Sequence, residues 1–436
     1  MSDALRIAIA GLGTVGAGVL TLLESNREKI DARSGRTLRV VAVSARDRGR
    51  DRGVDLSQYD WVDDMTDLAR RDDVDVVVEL VGGEEGPSLD LARATLRSGK
   101  ALVTANKAMV AHHGLELGQL AAANDVGMKF EAAVAGGIPV VKGLREGAAA
   151  NTIERVSGIL NGTCNYILSE MERTGRGFDE ILKEAQDKGY AEADPSFDVG
   201  GIDAAHKLAI LASIGFGARI DFPSVTTTGI TQVRAADIAQ AAALGYVIRL
   251  VGIADCDSST GDTPRLLQRV RPCLVPHGHP LAHVTGPTNA VVAEGDFSGR
   301  LLFQGAGAGD RPTASAVVAD LVDLARGDTA PPFSVPVGDL VPMQPADPGH
   351  RVGRDYIRMT VRDEPGVLAE IAAAMRDASV SIESLIQKGR EAEGGEVLIA
   401  MVTHEGEERC VAKAVELLDG SPSLTDAPLV LPILRD

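Results

Sequence analysis

Leu5-Arg-Ile-Ala-Ile-Ala-Gly-Leu-Gly-Thr-Val-Gly16 decides the architecture of the first third of the chain. Residues 5–10 are a short apolar run that reads as a buried strand, and a helical pattern follows from Val15 to Leu23. Between them stands Gly11-x-Gly13-x-x-Gly16. Glycines at these places permit a tight turn and let a pyrophosphate approach the helix N-terminus, where unpaired N–H groups and the helix dipole favour an anion. Gly11, Gly13, Thr14, Val15 and Gly16 are therefore candidate cofactor-binding residues.

Outward from this turn, apolar runs at 38–43, 74–81, 100–104 and 128–132 alternate with helical stretches at 89–98 and 115–124. That alternation predicts a parallel α/β sheet, a Rossmann-type dinucleotide-binding domain over residues 1–135. The third run ends at Gly82-Gly83, and Gly83 joins the cofactor candidates. The second run ends Val43-Ser-Ala-Arg46-Asp-Arg48. A site for NAD usually carries an acid there to hold the ribose hydroxyls, whereas Arg46 and Arg48 suit a 2′-phosphate. The expectation is NADP(H) preferred with NAD(H) possible, because Asp47 lies between the arginines; the alternative is a solvated basic turn.

The remaining length divides by pattern. Residues 136–305 carry long helices around 165–186 and 201–215 and strand-like stretches at 265–275 and 289–293, an inserted α+β domain. Residues 306–326 open with a second glycine turn, including Gly309 as a cofactor candidate, and read as a return to the first domain. Six prolines between 327 and 349 mark residues 327–352 as a linker. Residues 353–436 follow a βαββαβ pattern, ferredoxin-like, with Asp363-Glu-Pro-Gly-Val-Leu368 after the first strand.

Composition excludes several classes. The 436 residues hold 62 acids against 44 Lys plus Arg, a net charge of −18 that repels phosphate backbones and argues against nucleic acid. No apolar run reaches the ~18–20 residues of a membrane span. A strand beginning at residue 5 leaves no room for a signal peptide. The four cysteines lack C-x-x-C spacing and read as thiols of a reducing compartment, not a disulfide framework or zinc site. A cytoplasmic protein is expected.

The chemistry concentrates in Gly189 to Leu211, where Glu192, Asp194, Asp198, Asp203 and Lys207 crowd into under twenty residues. Asp203 and Lys207 are spaced i, i+4 on one face of an otherwise apolar helix. A desolvated lysine among acids is a common proton donor; the bland reading is an ion pair at a helix start. His206 points to another face of that helix and is assigned no chemistry. Lys107 closes a strand at its carboxyl end, where an open α/β sheet places its ligands, or is a surface lysine. Glu131 precedes a Val134–Ala–Gly136–Gly–Ile138 loop whose glycines let carbonyls turn inward, as a hard cation requires, though spacing alone favours a simple bend.

These motifs in this order resemble homoserine dehydrogenase. The resemblance is carried by residues 11–16, Thr104-Ala-Asn-Lys107, 131–139, Asn161-Gly-Thr-Cys-Asn165, 189–211 and 305–317, and covers residues 5–326. The C-terminal piece resembles an ACT domain, an amino-acid-sensing module. The resemblance implies NAD(P)-dependent interconversion of L-homoserine and L-aspartate 4-semialdehyde. It implies Lys207 and Lys107 as catalytic residues, with Glu192, Asp198 and Asp203 on the amino-acid end of the substrate. It also implies a monovalent cation, typically sodium, on Glu131 and the backbone oxygens of Val134, Gly136 and Ile138, against the bland reading of that loop. The resemblance makes residues 136–305 the catalytic and dimerisation domain of a homodimer or homotetramer, with an amino-acid effector, threonine by pathway logic, at the ACT domain. No aspartate kinase domain precedes residue 5, which the resemblance reads as the monofunctional form. A 3-phosphoglycerate dehydrogenase would share both ends of the chain but lacks the acid–lysine cluster; a non-enzymatic sensor could lose Lys207 or the glycine turn, and both are intact.

Overall fold

The computed structural model describes residues 4–257, 264–388 and 395–435; the outermost residues of the first and last expected domains lie outside the described residues. The first sheet contains β1 (Leu5–Ala10), β2 (Leu38–Ser44), β3 (Asp60–Trp61), β4 (Val76–Glu79), β5 (Ala101–Thr104) and β6 (Met128–Lys129). Their order is β3-β2-β1-β4-β5-β6, and all pairs are parallel. Strand order reverses direction between β1 and β4, which leaves a crevice beyond their carboxyl ends. Ile7, Ile9, Val43, Val78 and Val103 face one core with Val19, Leu20 and Leu23 of the Thr14–Ser25 helix and Val317 and Leu321 of the Asp310–Ala325 helix. A segment three hundred residues downstream thus covers the first sheet. The two-residue β3 has no apolar run behind it, so periodicity does not reveal it.

The second sheet is mostly antiparallel: β7 (Ile153–Ile159), β9 (Tyr246–Asp257), β10 (Arg265–Pro276), β11 (Thr288–Gly295) and β12 (Gly299–Ala306), with two short strands, β8 (Thr226–Thr227) and β13 (Gln344–Pro345), parallel to β10. The order is β12-β11-β7-β9-β10-β13. The stretch 165–186 is two helices, Gly162–Thr174 and Phe178–Asp187. Gly175 takes a left-handed φ of 71°, which ends the first helix and turns the chain into the second. The Ile202–Phe216 helix is buried on nearly every face from Asp203 to Ile214 and lies between the Lys107–Ala123 helix and the second sheet. A helix apolar all round is a helix packed all round.

The proline-rich stretch is not a free tether. Phe333, Val337 and Leu340 are buried, Val341 bridges Ala218, and β13 pairs with β10. Prolines remove ladder donors, so this segment is held by side-chain packing and isolated bridges, which leave no periodic signal.

The C-terminal strands lie in the order Ile382–Lys388, Glu396–Thr403, Asp355–Arg362, Leu429–Pro432, antiparallel throughout. Ile357, Met359 and Val361 face the Val367–Asp377 and Glu408–Leu417 helices. The alternate residues on neighbouring strands, Tyr356, Ala400, Val402 and Leu431, join the core that continues into the second sheet. The chain is therefore a Rossmann-type sheet, a mixed-sheet α+β unit and a βαββαβ unit.

Candidate active site

A cleft of about 830 Å³ lies between the first sheet and the Ile202–Phe216 helix. Its walls include Val15, Lys107, Gly136, Asp198, Asp203, Lys207 and Gly309 from the sequence reading, brought together from five separate segments. Lys207 is 8% exposed. Its ammonium donates to Asp203 at 2.8 Å and to the Leu160 carbonyl at 2.7 Å. A lysine carries three N–H donors, so one is left for the cleft. Lys107 Nζ lies 3.1 Å from the other Asp203 oxygen. That contact joins the carboxyl end of β5 to the buried helix. Burial works to raise the Asp203 carboxyl, but the two ammonium groups more than offset it and hold it well below the usual carboxylate range.

Asn161 caps the Gly162–Thr174 helix through the Cys164 N–H and donates 2.8 Å bonds to both Asp198 and Asp203. Thr163 Oγ1 donates to the Tyr190 carbonyl at 2.7 Å and to Asp198 at 3.3 Å. Burial pushes the Asp198 carboxyl up, against the opposing Asn161 hydrogen bond. Asn289 donates to the same Leu160 carbonyl that Lys207 uses, at 2.9 Å. Asn161, Thr163 and Asn289 were given no role from sequence, although Asn161-Gly-Thr-Cys-Asn165 is one of the stretches that carry the resemblance. Glu192 stands apart: it is exposed and does not line the cleft, although Tyr190 two residues earlier does.

A second cavity of about 950 Å³ flanks the other side of the Gly11–Gly16 turn. Gly11, Gly13, Arg46, Arg50 and Arg52 line it with Asp47 and Gly82. A Cβ on Gly11 would sit 2.6 Å from the Leu80 carbonyl oxygen and one on Gly16 2.1 Å from the Gly11 carbonyl oxygen, so both must be glycine. Gly13 faces open space at the start of the Thr14–Ser25 helix, which no side chain caps. An uncapped N-terminus with room before it fits a dinucleotide's pyrophosphate. Arg46 is exposed, while Arg48 and Arg52 lie over the Trp61 ring at 5.8 and 5.7 Å. Arg52 also donates to the Leu12 carbonyl at 2.9 Å. The basic turn is thus larger than Arg46 and Arg48. Gly83 lies beside the cavity's Gly82, and its carbonyl accepts from Asn106 at 2.6 Å. Thr14 opens on a separate groove with Ala17 and Arg311.

In the loop after β6, Val134 and Ile138 are buried. Ala135 and Gly136 have φ of 54° and 49°, two successive left-handed residues that swing their peptide groups round. The buried Glu131 carboxylate accepts from the Val141 and Lys142 N–H groups at 3.0 and 2.9 Å. Asp320 accepts the Glu131 N–H at 2.9 Å, and Lys142 pairs with Asp320 and Asp323. Burial first, then the Asp320 charge, pushes the Glu131 carboxyl up to about 7. The Lys142 ammonium thus serves two acids, Asp320 and Asp323, while the Glu131 carboxylate is held by backbone N–H groups alone.

His206, beside Lys207, stacks on Phe222 with centroids 4.3 Å apart. Burial, with His112 and Lys107 nearby, pushes its pKa down to about 4. In the C-terminal unit, Asp363 to Leu368 line a hollow of about 510 Å³ with Gln387 and Ile399.

Comparison with known proteins agrees with this geometry. The family "Homoserine dehydrogenase, NAD binding domain" matches residues 11–131, "Homoserine dehydrogenase" matches 139–322 and "ACT domain" matches 356–419. A homoserine dehydrogenase of Pseudomonas aeruginosa is 43% identical over 425 residues, covering 95% of each chain. One of Corynebacterium glutamicum is 40% identical, covering 100% of this chain and 96% of its own. The crystal structure of a homoserine dehydrogenase from Thiobacillus denitrificans superposes with a TM-score of 0.92 at 40% identity over 99% of both chains. A hyperthermophilic archaeal homoserine dehydrogenase in complex with NADPH covers 74% of this chain and 97% of its own, with a TM-score of 0.61 at 26% identity. With family models matching along most of its length and relatives 40–43% identical over nearly all of it, the chain belongs to the homoserine dehydrogenase family, oxidoreductases acting on a CH–OH group.

Proposed function

We propose that the enzyme interconverts L-homoserine and L-aspartate 4-semialdehyde in the cleft between the first sheet and the Ile202–Phe216 helix. The observation that carries this reading is Lys207, buried, with two donors committed and one directed to the cleft. The nicotinamide of the bound cofactor supplies or accepts the hydride. In the reducing direction negative charge develops on the aldehyde oxygen, and Lys207 gives that oxygen its proton. Asp203 fixes Lys207 and Lys107 in one plane of contacts and stays ionised, so it can also hold the substrate ammonium. Asp198, oriented by Asn161 and Thr163, shares that task. Glu192 would reach the substrate only by movement of the exposed loop after Tyr190. Gly11, Gly13, Val15, Gly16 and Gly309 would admit the cofactor, and Lys107, which lines the cleft, would help to place cofactor and substrate.

NADP(H) is the preferred cofactor on this reading because Arg46, Arg50 and Arg52 line one cavity. The NADPH complex of the archaeal relative supports the same choice. A sodium ion on Glu131 and the oxygens of Val134, Gly136 and Ile138 would balance the acidic cluster behind the loop. The hollow at Asp363–Leu368 takes an amino-acid effector, with threonine the expected feedback ligand of the threonine, methionine and isoleucine pathways. A homodimer or homotetramer fits the exposed Leu302 on the edge strand β12. Among the described residues no helix is long and apolar enough to cross a membrane. We place the enzyme in the cytoplasm.

The test is oxidation of NADPH and of NADH by aspartate 4-semialdehyde, followed at the nicotinamide absorbance, with and without sodium and threonine. Turnover with NADPH exceeding that with NADH is expected. No oxidation of either cofactor would remove the assignment. Threonine inhibition that persists in an Asp363→Ala, Gln387→Ala variant would place the effector elsewhere.

A further inference from the structure

Behind the lysine–carboxylate cluster, three other side chains converge from three elements. Glu84 lies on the loop after β4, His112 on the Lys107–Ala123 helix and His206 on the Ile202–Phe216 helix. His112 Nε2 is 3.2 Å from a Glu84 carboxylate oxygen and 3.3 Å from His206 Nε2. One ligand atom from each residue falls in a set lying within 4.8 Å of one another. His206 is buried and clamped by Phe222, while Glu84 and His112 are exposed, so the cluster is walled on one side and open to water on the other.

Hydrogen bonds within the trio cannot serve all three groups at once, and the exposed Glu84 falls back on water. An imidazole nitrogen carries either a proton or a lone pair. One proton on His112 Nε2 cannot point at both Glu84 and His206, so one acceptor goes unserved. If the proton sits instead on His206 Nε2 and is given to His112, the His112 lone pair faces the Glu84 carboxylate. A cation at the centre receives a lone pair from each of the three groups. Two of the three separations, 3.2 and 3.3 Å, match the about 3.3 Å between neighbouring ligand atoms of a tetrahedral zinc ion with bonds of about 2.0–2.1 Å. Two imidazoles and a carboxylate select a borderline divalent ion over a hard one.

We propose that Glu84, His112 and His206 form a site for a borderline divalent metal ion such as zinc, with solvent in the fourth position. His206 Nδ1 is buried with no acceptor among the described residues, so the outer partner that sharpens a metal-bound histidine is missing. The site is therefore one of reversible occupancy, not a structural zinc. Its ligands tie the loop carrying Gly82, which lines the second cavity, to the helix carrying Lys207. Occupancy holds those elements together and slows any step that needs them to part.

The experiment uses the full chain stripped of metal with a chelator. Cobalt(II) is titrated while visible absorption is read, and zinc is titrated against a chromophoric chelator. One equivalent of cobalt should develop d–d bands that zinc abolishes. Glu84→Gln and His112→Gln should each weaken zinc at least ~10-fold, the scale on which even outer partners of a metal site act. Both side chains are exposed, so unchanged thermal unfolding of the metal-free variants is expected and checks their fold. No stoichiometric cobalt spectrum, or variants that bind zinc as tightly as the parent, would overturn the site.

Discussion

Two buried charge clusters border the middle unit, and they are built from different cations. At the cleft, Asp203 is shared between Lys107 and Lys207. At the junction with the C-terminal unit, Arg269 grips Glu408 through two bonds of 2.8 and 2.7 Å, and Arg358 meets Asp237 at 2.9 Å. Arg351 joins Glu408 at 3.0 Å, and Tyr356 donates to Asp237 at 3.2 Å. An arginine does not release its proton in a protein and matches a carboxylate with two parallel donors, while lysine offers a compact charge whose proton can move. Burial raises the Asp237 carboxyl, and the Arg234 N–H and Arg358 only partly oppose it; the two lysines lower Asp203. Between these two clusters, arginine stands where a charge must stay and lysine where a proton must leave.

Exchanging the cations breaks the comparison most sharply. Lys207→Ala is expected to lower kcat by ~10²–10⁴, the worth of a positioned general acid. Lys207→Arg should fail to restore it, because a guanidinium keeps the charge but not the transferable proton. Single-turnover rates with NADPH, alongside NADPH affinity, check both; a Lys207→Arg variant with more than half the parent kcat would contradict the proton-donor role.

The arginine clasp predicts stability, not turnover. Asp237→Ala leaves Arg358 buried beside a cavity and should cost ~3–5 kcal/mol, the range for breaking one partner of a buried pair. Denaturant unfolding measures it, and a loss below about 1 kcal/mol would mean that water reaches the junction. The same contacts argue against deleting the C-terminal unit to test regulation, since deletion also strips Arg269 and Asp237 of their partners.

A third acidic cluster sharpens the rule by having too few cations. Glu131 has an ordinary pKa of 4.5 and is pushed up to about 7 in the fold. The folded state therefore favours its protonated form. That contribution is fully present below about pH 4.5 and is lost as pH rises through about 7, a span worth on the order of 3 kcal/mol. Glu131→Gln should flatten the decline of stability over this window, and sodium should flatten it in the parent but not in the variant. Thermal unfolding from pH 4.5 to 8, with sodium exchanged for a bulky organic cation, reads this. An identical sodium response in both proteins would place the ion elsewhere.

The smallest expected effect lies on the exposed basic turn. Arg46→Ala should weaken NADPH by roughly 1.5–3 kcal/mol and NADH by much less, as for a hydrogen bond to a charged group. Fluorescence titration with both cofactors decides; equal losses would pass the 2′-phosphate to Arg50 or Arg52.

The fold was legible wherever apolar period and glycine punctuation coincide. β1, the glycine turn and the helix beginning at Thr14 follow directly from residues 5–23. The C-terminal βαββαβ unit follows from its own alternation. What stayed hidden was held by non-local pairing: β3, the seven-residue β7 with its Glu154 and Arg155, and the proline strap along β10. The site divides in the same way. Asp203 and Lys207 were readable because they share one helix at i, i+4. Asn161, Asn289, Arg52 and the Glu84–His112–His206 trio were not, since each acts on residues tens or hundreds of positions away. His206 was set aside for pointing away from Lys207, and that other face is where His112 stands.

The helix that roofs the first sheet has a consequence for how the protein is made. Val317 and Leu321 of the Asp310–Ala325 helix complete the core around Ile7 and Ile9. During synthesis the nucleotide-binding sheet emerges first, yet its apolar flank stays open until roughly two hundred residues have followed its last strand. At about 5–20 residues per second that is a delay of roughly 10–40 s. For that interval the ribosome displays an uncovered apolar surface, and a chaperone that recognises nascent chains has its opportunity there, well before the middle unit is finished.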